Sequence, residues 1–210
     1  MRIAGIDEAG KGPVIGPLVV SIFCCDNDGL ERLKKIGVRD SKRLNAKKRE
    51  ELAEKIKKIG EVGVLKIQAE ELDELMKNKT INEVLKECYS KLIRRVDADL
   101  YILDSPDVIP GRIANELKSL TNKKINAYHK ADENYEVVAA ASVVAKVERD
   151  AEIENIKKIV GDFGSGYASD SRTINFLKEY IKKHGKLPPH TRKRWKTAFN
   201  LMQKSLDEFY

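Results

Sequence analysis

The stretch Gly5-Ile6-Asp7-Glu8-Ala9-Gly10-Lys11-Gly12-Pro13-Val14-Ile15-Gly16-Pro17 sets two adjacent acids between an apolar run and a turn rich in glycine and proline. Residues Arg2 to Ile6 read as a short strand and Pro13 to Cys25 as a second. Both carboxylates then fall at the end of the first strand, just before the chain reverses. A strand end is a rigid mount, and glycines let backbone approach a ligand closely. Such a pair suits a site for a divalent cation and a phosphate-bearing chain, and taken alone it equally suits solvated turn formers. Gly5 to Lys11 also fits the phosphate-loop spacing G-x-x-x-x-G-K. That reading fails at Gly12, where a hydroxyl is needed, and at Pro13, where a β-rich run replaces the required helix.

The rest of the chain alternates helix and strand. Gly29 to Ile36 is a short helical candidate, Gly37 to Leu44 a polar loop, and Asn45 caps a helix over Ala46 to Lys58. Strand patterns follow at Glu61 to Ile67, Leu100 to Leu103 and Lys124 to Tyr128. Helical ones cover Glu70 to Lys79, the segment opened by Thr80, Ile109 to Leu120 and Tyr135 to Val160. This order implies an α/β fold with a mixed sheet and helices on its faces. After Gly161 to Asp170, a glycine-rich loop, come two basic helical segments, the first capped by Asp170 or Ser171 and the second by Thr191. The chain is therefore expected to divide into residues 1–170 and a basic helical extension, 171–210, that carries Arg192, Lys193, Arg194, Trp195 and Lys196.

Asp7, Glu8, Asp104 and Asp132 share one feature: each lies at or just after a predicted strand end, where sites gather in such sheets. Singly, Asp104 fits a turn cap before Pro106 and Asp132 a helix cap. Brought together without metal, the set would repel itself and some members would hold protons. Two divalent ions roughly 4 Å apart would relieve that repulsion and clamp the attacking and leaving oxygens of a phosphodiester. Lysines and arginines (40) outnumber aspartates and glutamates (33), a net charge of +7 that favours a polyanionic partner. The cysteines, Cys24, Cys25 and Cys88, show no zinc or Cys-x-x-Cys spacing and read as buried thiols in a cytoplasmic protein. No secretory signal or membrane-spanning run is seen, and a monomer is the default.

Gly5-Ile6-Asp7-Glu8-Ala9-Gly10-Lys11-Gly12, Asp40-Ser41-Lys42, Asp104-Ser105-Pro106, His129-Lys130-Ala131-Asp132, the run from Ala139 to Arg149 and Phe163-Gly164-Ser165-Gly166-Tyr167 follow one another along nearly the whole chain. Together they resemble type 2 ribonuclease H, ribonuclease HII, in its archaeal form. The resemblance implies a ribonuclease H-like fold that cleaves the RNA strand of RNA/DNA hybrids and incises at single ribonucleotides in duplex DNA, leaving 5′-phosphate and 3′-hydroxyl ends. It implies two divalent ions, Mg2+ or Mn2+. Asp7 would bridge both, Glu8 and Asp104 would complete one site, and Asp132 would serve the other. The backbone of Gly10, Lys11 and Gly12 would contact the ribose 2′-hydroxyl, and Tyr167 would stack on the sugar of the following deoxynucleotide.

Ser41, Lys42, Ser142, Lys146 and Arg149 are expected to hold phosphates, with Arg194 and Lys196 adding basic contacts. His129 stays outside the catalytic set. Lys11 stands where many members carry arginine, a departure that backbone contacts tolerate. The tail, Gln203 to Tyr210, fits Q-x-x-L-x-x-aromatic-aromatic and resembles the motif that docks on replication sliding clamps, with Gln203, Leu206, Phe209 and Tyr210 as its contacts. Rival readings are a non-catalytic nucleic-acid binder and, more weakly, a Ser-His-Asp hydrolase, for which no Gly-x-Ser-x-Gly elbow is present.

Overall fold

The computed structural model describes residues 1–207, and within them all side chains except those at 42, 43 and 204–207. Strands β1 (Ile3–Ala9), β2 (Leu18–Cys25), β3 (Glu61–Ile67), β4 (Leu100–Asp104) and β5 (Ile125–Tyr128) form a five-stranded sheet in the order β3-β2-β1-β4-β5. β1 runs antiparallel to β2 and parallel to β4, and β4 runs parallel to β5, so the sheet is mixed, as expected. The helices are α1 (Asn27–Lys35), α2 (Ala46–Lys57), α3 (Ala69–Leu75), α4 (Ile81–Arg95), α5 (Pro110–Thr121), α6 (Ala131–Asn134), α7 (Glu136–Val160), α8 (Ser171–His184) and α9 (Lys196–Asp207). Among the described residues no helix is long and apolar enough to cross a membrane.

The chain divides into two compact units. One comprises Met1–Ala9, Val19–Leu65 and Thr80–Glu148; the other comprises Gly10–Leu18, Lys66–Lys79 and the chain from Arg149 on. This division by contact is distinct from the expected boundary after residue 170, which is a division by role.

In the first unit, α7 lies against the central strand. A Cβ built on Gly5 would come within 2.2 Å of the Val137 carbonyl carbon and 2.3 Å of the Val138 nitrogen, so only hydrogen fits there. Around this contact pack Phe23, Leu33, Leu52, Ile56, Ile102, Val138 and Val144. Alternation along the strands sends the other side chains to the opposite face, where Leu92 of α4 meets Ile22 at Gly63. The start of α4 is fixed by a capping box: Thr80 Oγ1 accepts from the Glu83 N–H while Glu83 accepts from the Thr80 N–H. Cys24, Cys25 and Cys88 are buried free thiols, as expected.

The second unit has its own core of Val14, Ile15, Ile153, Ile156, Phe163, Leu177 and Ala198. Several local expectations change. Pro13 to Pro17 is not strand, because its prolines lack the N–H a ladder needs, and β2 begins only at Leu18. Val38–Arg43 forms a 3-10 helix instead of an open loop. Asp170 caps α8, whereas Thr191 caps nothing: its backbone bridges to Ile15, and α9 starts at Lys196.

Gly5→Ala is expected to destabilise the protein by about 3 kcal/mol, because β1 and α7 must part to admit a methyl group between two backbones. Urea unfolding should show a lower midpoint with an unchanged slope.

Candidate active site

In the first unit β1 continues through Ala9, so Asp7 and Glu8 lie within the strand and not past its end. Adjacent strand residues point to opposite faces, and the two acids separate accordingly. Asp7, 6% exposed, turns toward α7, where it bonds the Ser142 hydroxyl. Ser142 Oγ in turn accepts from Lys146 Nζ at 2.8 Å, a pairing that four-residue spacing on one helix allows. Ser142 is buried, so its hydroxyl serves Asp7 and Lys146 rather than standing open to a phosphate. Glu8 turns the other way and accepts from the Tyr89 hydroxyl of α4 at 2.5 Å.

The register pairs Ile6 with Leu103, so one step further along the parallel strands Asp7 runs beside Asp104 at the end of β4. Asp104 Oδ1 accepts from the Ala131 N–H at 2.8 Å. The next residue, Asp132, is half-buried in α6, whose direction is set by Lys130 at φ 53°. Burial, then the charge of Glu8, then that of Asp104 push the Asp7 carboxyl well above its usual range. Burial and the adjacent Glu8 charge also push the Tyr89 phenol up, so it remains a donor. The structure thus brings Asp7, Glu8 and Asp104 together and ties Asp132 to them through Ala131.

Among the described residues no three His, Cys, Asp or Glu side chains form a ready-made metal group. The donor chemistry nevertheless fits a hard divalent cation: a buried carboxylate whose charged form is disfavoured by two carboxylate neighbours is relieved by positive charge bound to oxygen. Tyr89 went unrecognised in the sequence. Its signal is its place on the apolar stripe of α4 between Leu85 and Leu92, where a buried tyrosine must find a partner for its hydroxyl. Ser41 is buried in the 3-10 helix, and the side chain of Lys42 lies outside those described. His129 is exposed, its Nε2 3.2 Å from the Val108 carbonyl oxygen.

The second unit holds the glycine turn. Gly10 sits at φ +82°, and a Cβ there would come within 2.5 Å of the Pro17 carbonyl oxygen. The Gly166 carbonyl accepts from the Val14 and Ile15 N–H groups, at 2.8 and 3.2 Å. This brings Tyr167 beside the turn, its ring carbon 3.7 Å from the Cβ position of Gly12. Tyr167 is 37% exposed and has the Arg149 guanidinium 5.2 Å from its ring centre. Arg149 Nη2 donates to the Ser165 carbonyl at 2.8 Å, while its buried Nε has no hydrogen-bond partner among the described residues.

The basic segment departs from expectation. Arg192 is not on a cationic helix surface but fully buried, donating from Nε to Gly16 O (2.9 Å), from Nη1 to Lys11 O (3.1 Å) and from Nη2 to Gly10 O (2.6 Å). Burial, and after it the charge of Arg149, pulls its guanidinium down to about 9, so it is still a cation at neutral pH. Arg194 and Lys196 are exposed, with the Arg194 N–H held by Asp73 Oδ1 at 3.2 Å. Gln203 is exposed on α9. Leu206 is in α9 with its side chain outside those described, and Phe209 and Tyr210 lie outside the described residues.

The sequence model of ribonuclease HII matches residues 4–198. The chain belongs to the ribonuclease HII family. It is 57% identical to a ribonuclease HII of Archaeoglobus fulgidus over 98% of this chain and 99% of the relative, and 43% identical to one from Pyrococcus horikoshii over 100% and 99%. The solved ribonuclease H2 of P. horikoshii superposes with a TM-score of 0.93 at 42% identity, covering 98% of this chain and 99% of that one. A chain from the PCNA:RNase HII complex of A. fulgidus superposes with a TM-score of 0.90 at 56% identity, covering 93% and 96%. As a member of the ribonuclease HII family, the protein is a divalent-metal-dependent endoribonuclease that degrades the RNA strand of RNA/DNA hybrids.

The loop that presents Tyr167 is closed by Asp170. Its Oδ2 accepts from the Ser165 N–H at 2.9 Å and its Oδ1 from the Arg172 N–H at 3.0 Å. Arg172 chiefly, and the Ser165 N–H next, hold its carboxyl well below the ordinary value of 3.8. A carboxyl with a depressed folded pKa stabilises the protein above its unfolded value, and that stabilisation is lost as pH falls toward the folded one. The gap in melting temperature between wild type and Asp170→Asn should therefore be widest at neutral pH and narrow progressively below about pH 3.8. Thermal melts from pH 6 down to pH 2 check this.

Proposed function

We propose that the protein incises duplex DNA on the 5′ side of embedded ribonucleotides, leaving 5′-phosphate and 3′-hydroxyl ends, and that it works with two divalent ions, Mg2+ or Mn2+. The observation that carries the reading is the buried Asp7 carboxyl flanked by Glu8 and Asp104. Asp7, Glu8, Asp104 and Asp132 would hold the ions, which supply Lewis-acid stabilisation of the attacking and leaving oxygens of the phosphodiester. The chain's own residues do the rest. Tyr89 donates to one oxygen of Glu8, and Ser142, itself bonded by Lys146, holds Asp7. Arg149, a cation beside the Tyr167 ring, is proposed as a phosphate contact, with Ser41, Lys42, Arg194 and Lys196 as further ones.

Reading the substrate falls to the turn that follows directly on β1. The backbone of Gly10, Lys11 and Gly12 would meet the ribose 2′-hydroxyl, the one group by which RNA and DNA differ along the sugar chain. Tyr167, partly exposed beside Gly12, would stack on the next sugar and so recognise the step from RNA to DNA. By role, residues 1–170 would carry the chemistry and residues 171–210 would help to hold the duplex. Free buried thiols accord with a reducing cytoplasm. The tail motif of Gln203, Leu206, Phe209 and Tyr210 would dock on a sliding clamp, as the A. fulgidus relative's assembly with PCNA supports.

On duplex DNA carrying one ribonucleotide, the wild type should incise only with divalent metal. Asp7→Asn and Asp132→Asn should each lose about a thousandfold or more in rate, and Tyr167→Ala about tenfold at the junction. Tight binding by the wild type without incision would favour the non-catalytic binder instead.

The double variant Phe209→Ala, Tyr210→Ala should bind the sliding clamp at least about a hundredfold more weakly, the effect of deleting two aromatic anchors, and still cleave free hybrid at the wild-type rate. Unchanged clamp binding in a pull-down or calorimetric titration would remove the docking proposal.

A further inference from the structure

The buried guanidinium of Arg192 has no place in the ligand-binding set above, yet it reaches the glycine turn at three points. Its Nε, Nη1 and Nη2 donate to the carbonyl oxygens of Gly16, Lys11 and Gly10. The indole of Trp195 lies 4.8 Å from the same guanidinium and donates from Nε1 to the Gly12 carbonyl at 3.3 Å. Four carbonyls of one short turn are thus held by two side chains. The segment carrying them is anchored by the Arg192 N–H, which donates to Val14 O at 2.8 Å.

A trans peptide points its N–H opposite to its C=O. The Gly10 carbonyl shares a peptide group with the Lys11 N–H, and the Lys11 carbonyl shares one with the Gly12 N–H. Pulling both carbonyls toward Arg192 therefore turns both N–H groups the other way. The other two held carbonyls, of Gly12 and Gly16, precede Pro13 and Pro17, whose nitrogens carry no hydrogen, so no donor is turned out there. The result is a pair of N–H groups at Lys11 and Gly12, the latter exposed and beside the Tyr167 ring. A planar fork directs its donors at fixed angles to three carbonyls at once; a lysine ammonium also has three donors but carries them on a flexible stem without that fixed geometry.

We infer that Arg192, assisted by Trp195, is the positioning residue for ribose recognition: it sets the peptide planes of the Gly10-Lys11-Gly12 turn so that their N–H groups face a sugar hydroxyl. This rests on the ribonuclease reading above and extends it to a side chain that never touches the substrate. Loss of Arg192 should remove discrimination at the 2′ position and leave the phosphate contacts in place.

The test is equilibrium binding, in chelator so that nothing is cut, to two duplexes identical except that one carries a single ribonucleotide and the other is all DNA. Wild type should prefer the ribonucleotide duplex. Arg192→Met should lose about tenfold of that preference, the worth of roughly one hydrogen bond, while its affinity for all-DNA duplex stays within about twofold. Arg192→Lys should fall between the two. Trp195→Phe, which removes only the donor to Gly12, decides the matter should Arg192→Met not fold, with an expected loss of about threefold. A folded Arg192→Met, or Trp195→Phe in its place, that keeps the full preference overturns the positioning role and leaves the ribonuclease reading intact. A wild type with no preference overturns the ribose-reading role of the turn as well as that of Arg192.

Discussion

Everything in the first unit depends on how closely β1 lies under α7. Hydrogen is the only side chain tolerated at Gly5, where the strand meets the Val137 and Val138 backbone, and α7 answers with the small buried residues Ala139, Ala140 and Ala141. That approach brings Ser142 within hydrogen-bonding reach of Asp7, two residues beyond Gly5 on the same face of the strand. A bulkier contact would lift the helix and leave Asp7 a buried carboxylate without its hydroxyl. The packing of an apolar core and the orientation of a buried carboxyl are here one constraint.

The second unit solves the opposite problem. A turn of glycines has too much freedom to present its amides in a fixed direction, and freedom lost on binding weakens recognition. The turn gains rigidity from outside itself: the Gly166 carbonyl holds Val14 and Ile15, and the Arg192 fork holds the carbonyls of Gly10, Lys11 and Gly16. Prolines at 13 and 17 remove further freedom and cost no donors that the turn needs.

Much of this was legible in the sequence because it depends on period and punctuation. The number of the sheet's strands and their order along the chain, though not the ends of the first two, the helix over α2 and the Thr80 helix start follow from local patterns that tertiary structure leaves undisturbed. The acids at 7, 8 and 104 were legible as a set because strand ends gather. Their separation to opposite faces of β1 was not drawn, although a period of two demands it for neighbours in a strand. Arg192 was misread for a physical reason. In a run of basic residues each looks solvated, and what buries one of them is a set of carbonyl oxygens far away in sequence, to which composition and periodicity are blind. Tyr89 was hidden in the same way by a partner outside its helix.

Two buried charged or chargeable groups of opposite kind show how the chain divides stability from function. Arg192 keeps its charge within the fold, since burial lowers its guanidinium only to about 9 and main-chain carbonyls accept from its cation at three points. Asp7 is only partly compensated: Ser142 and the Glu8 N–H favour its charged form, while burial, Glu8 and Asp104 oppose it more strongly. A carboxyl in that position is a standing cost to the folded chain that a bound cation relieves, because the charge that destabilises the protein alone is the charge that attracts a metal. The proposed positioning group thus has its hydrogen bonds made within the fold, and the proposed metal-binding carboxyl does not have its charge offset. On the proposed roles, that asymmetry is what separates a side chain that would shape a site from one that would work in it.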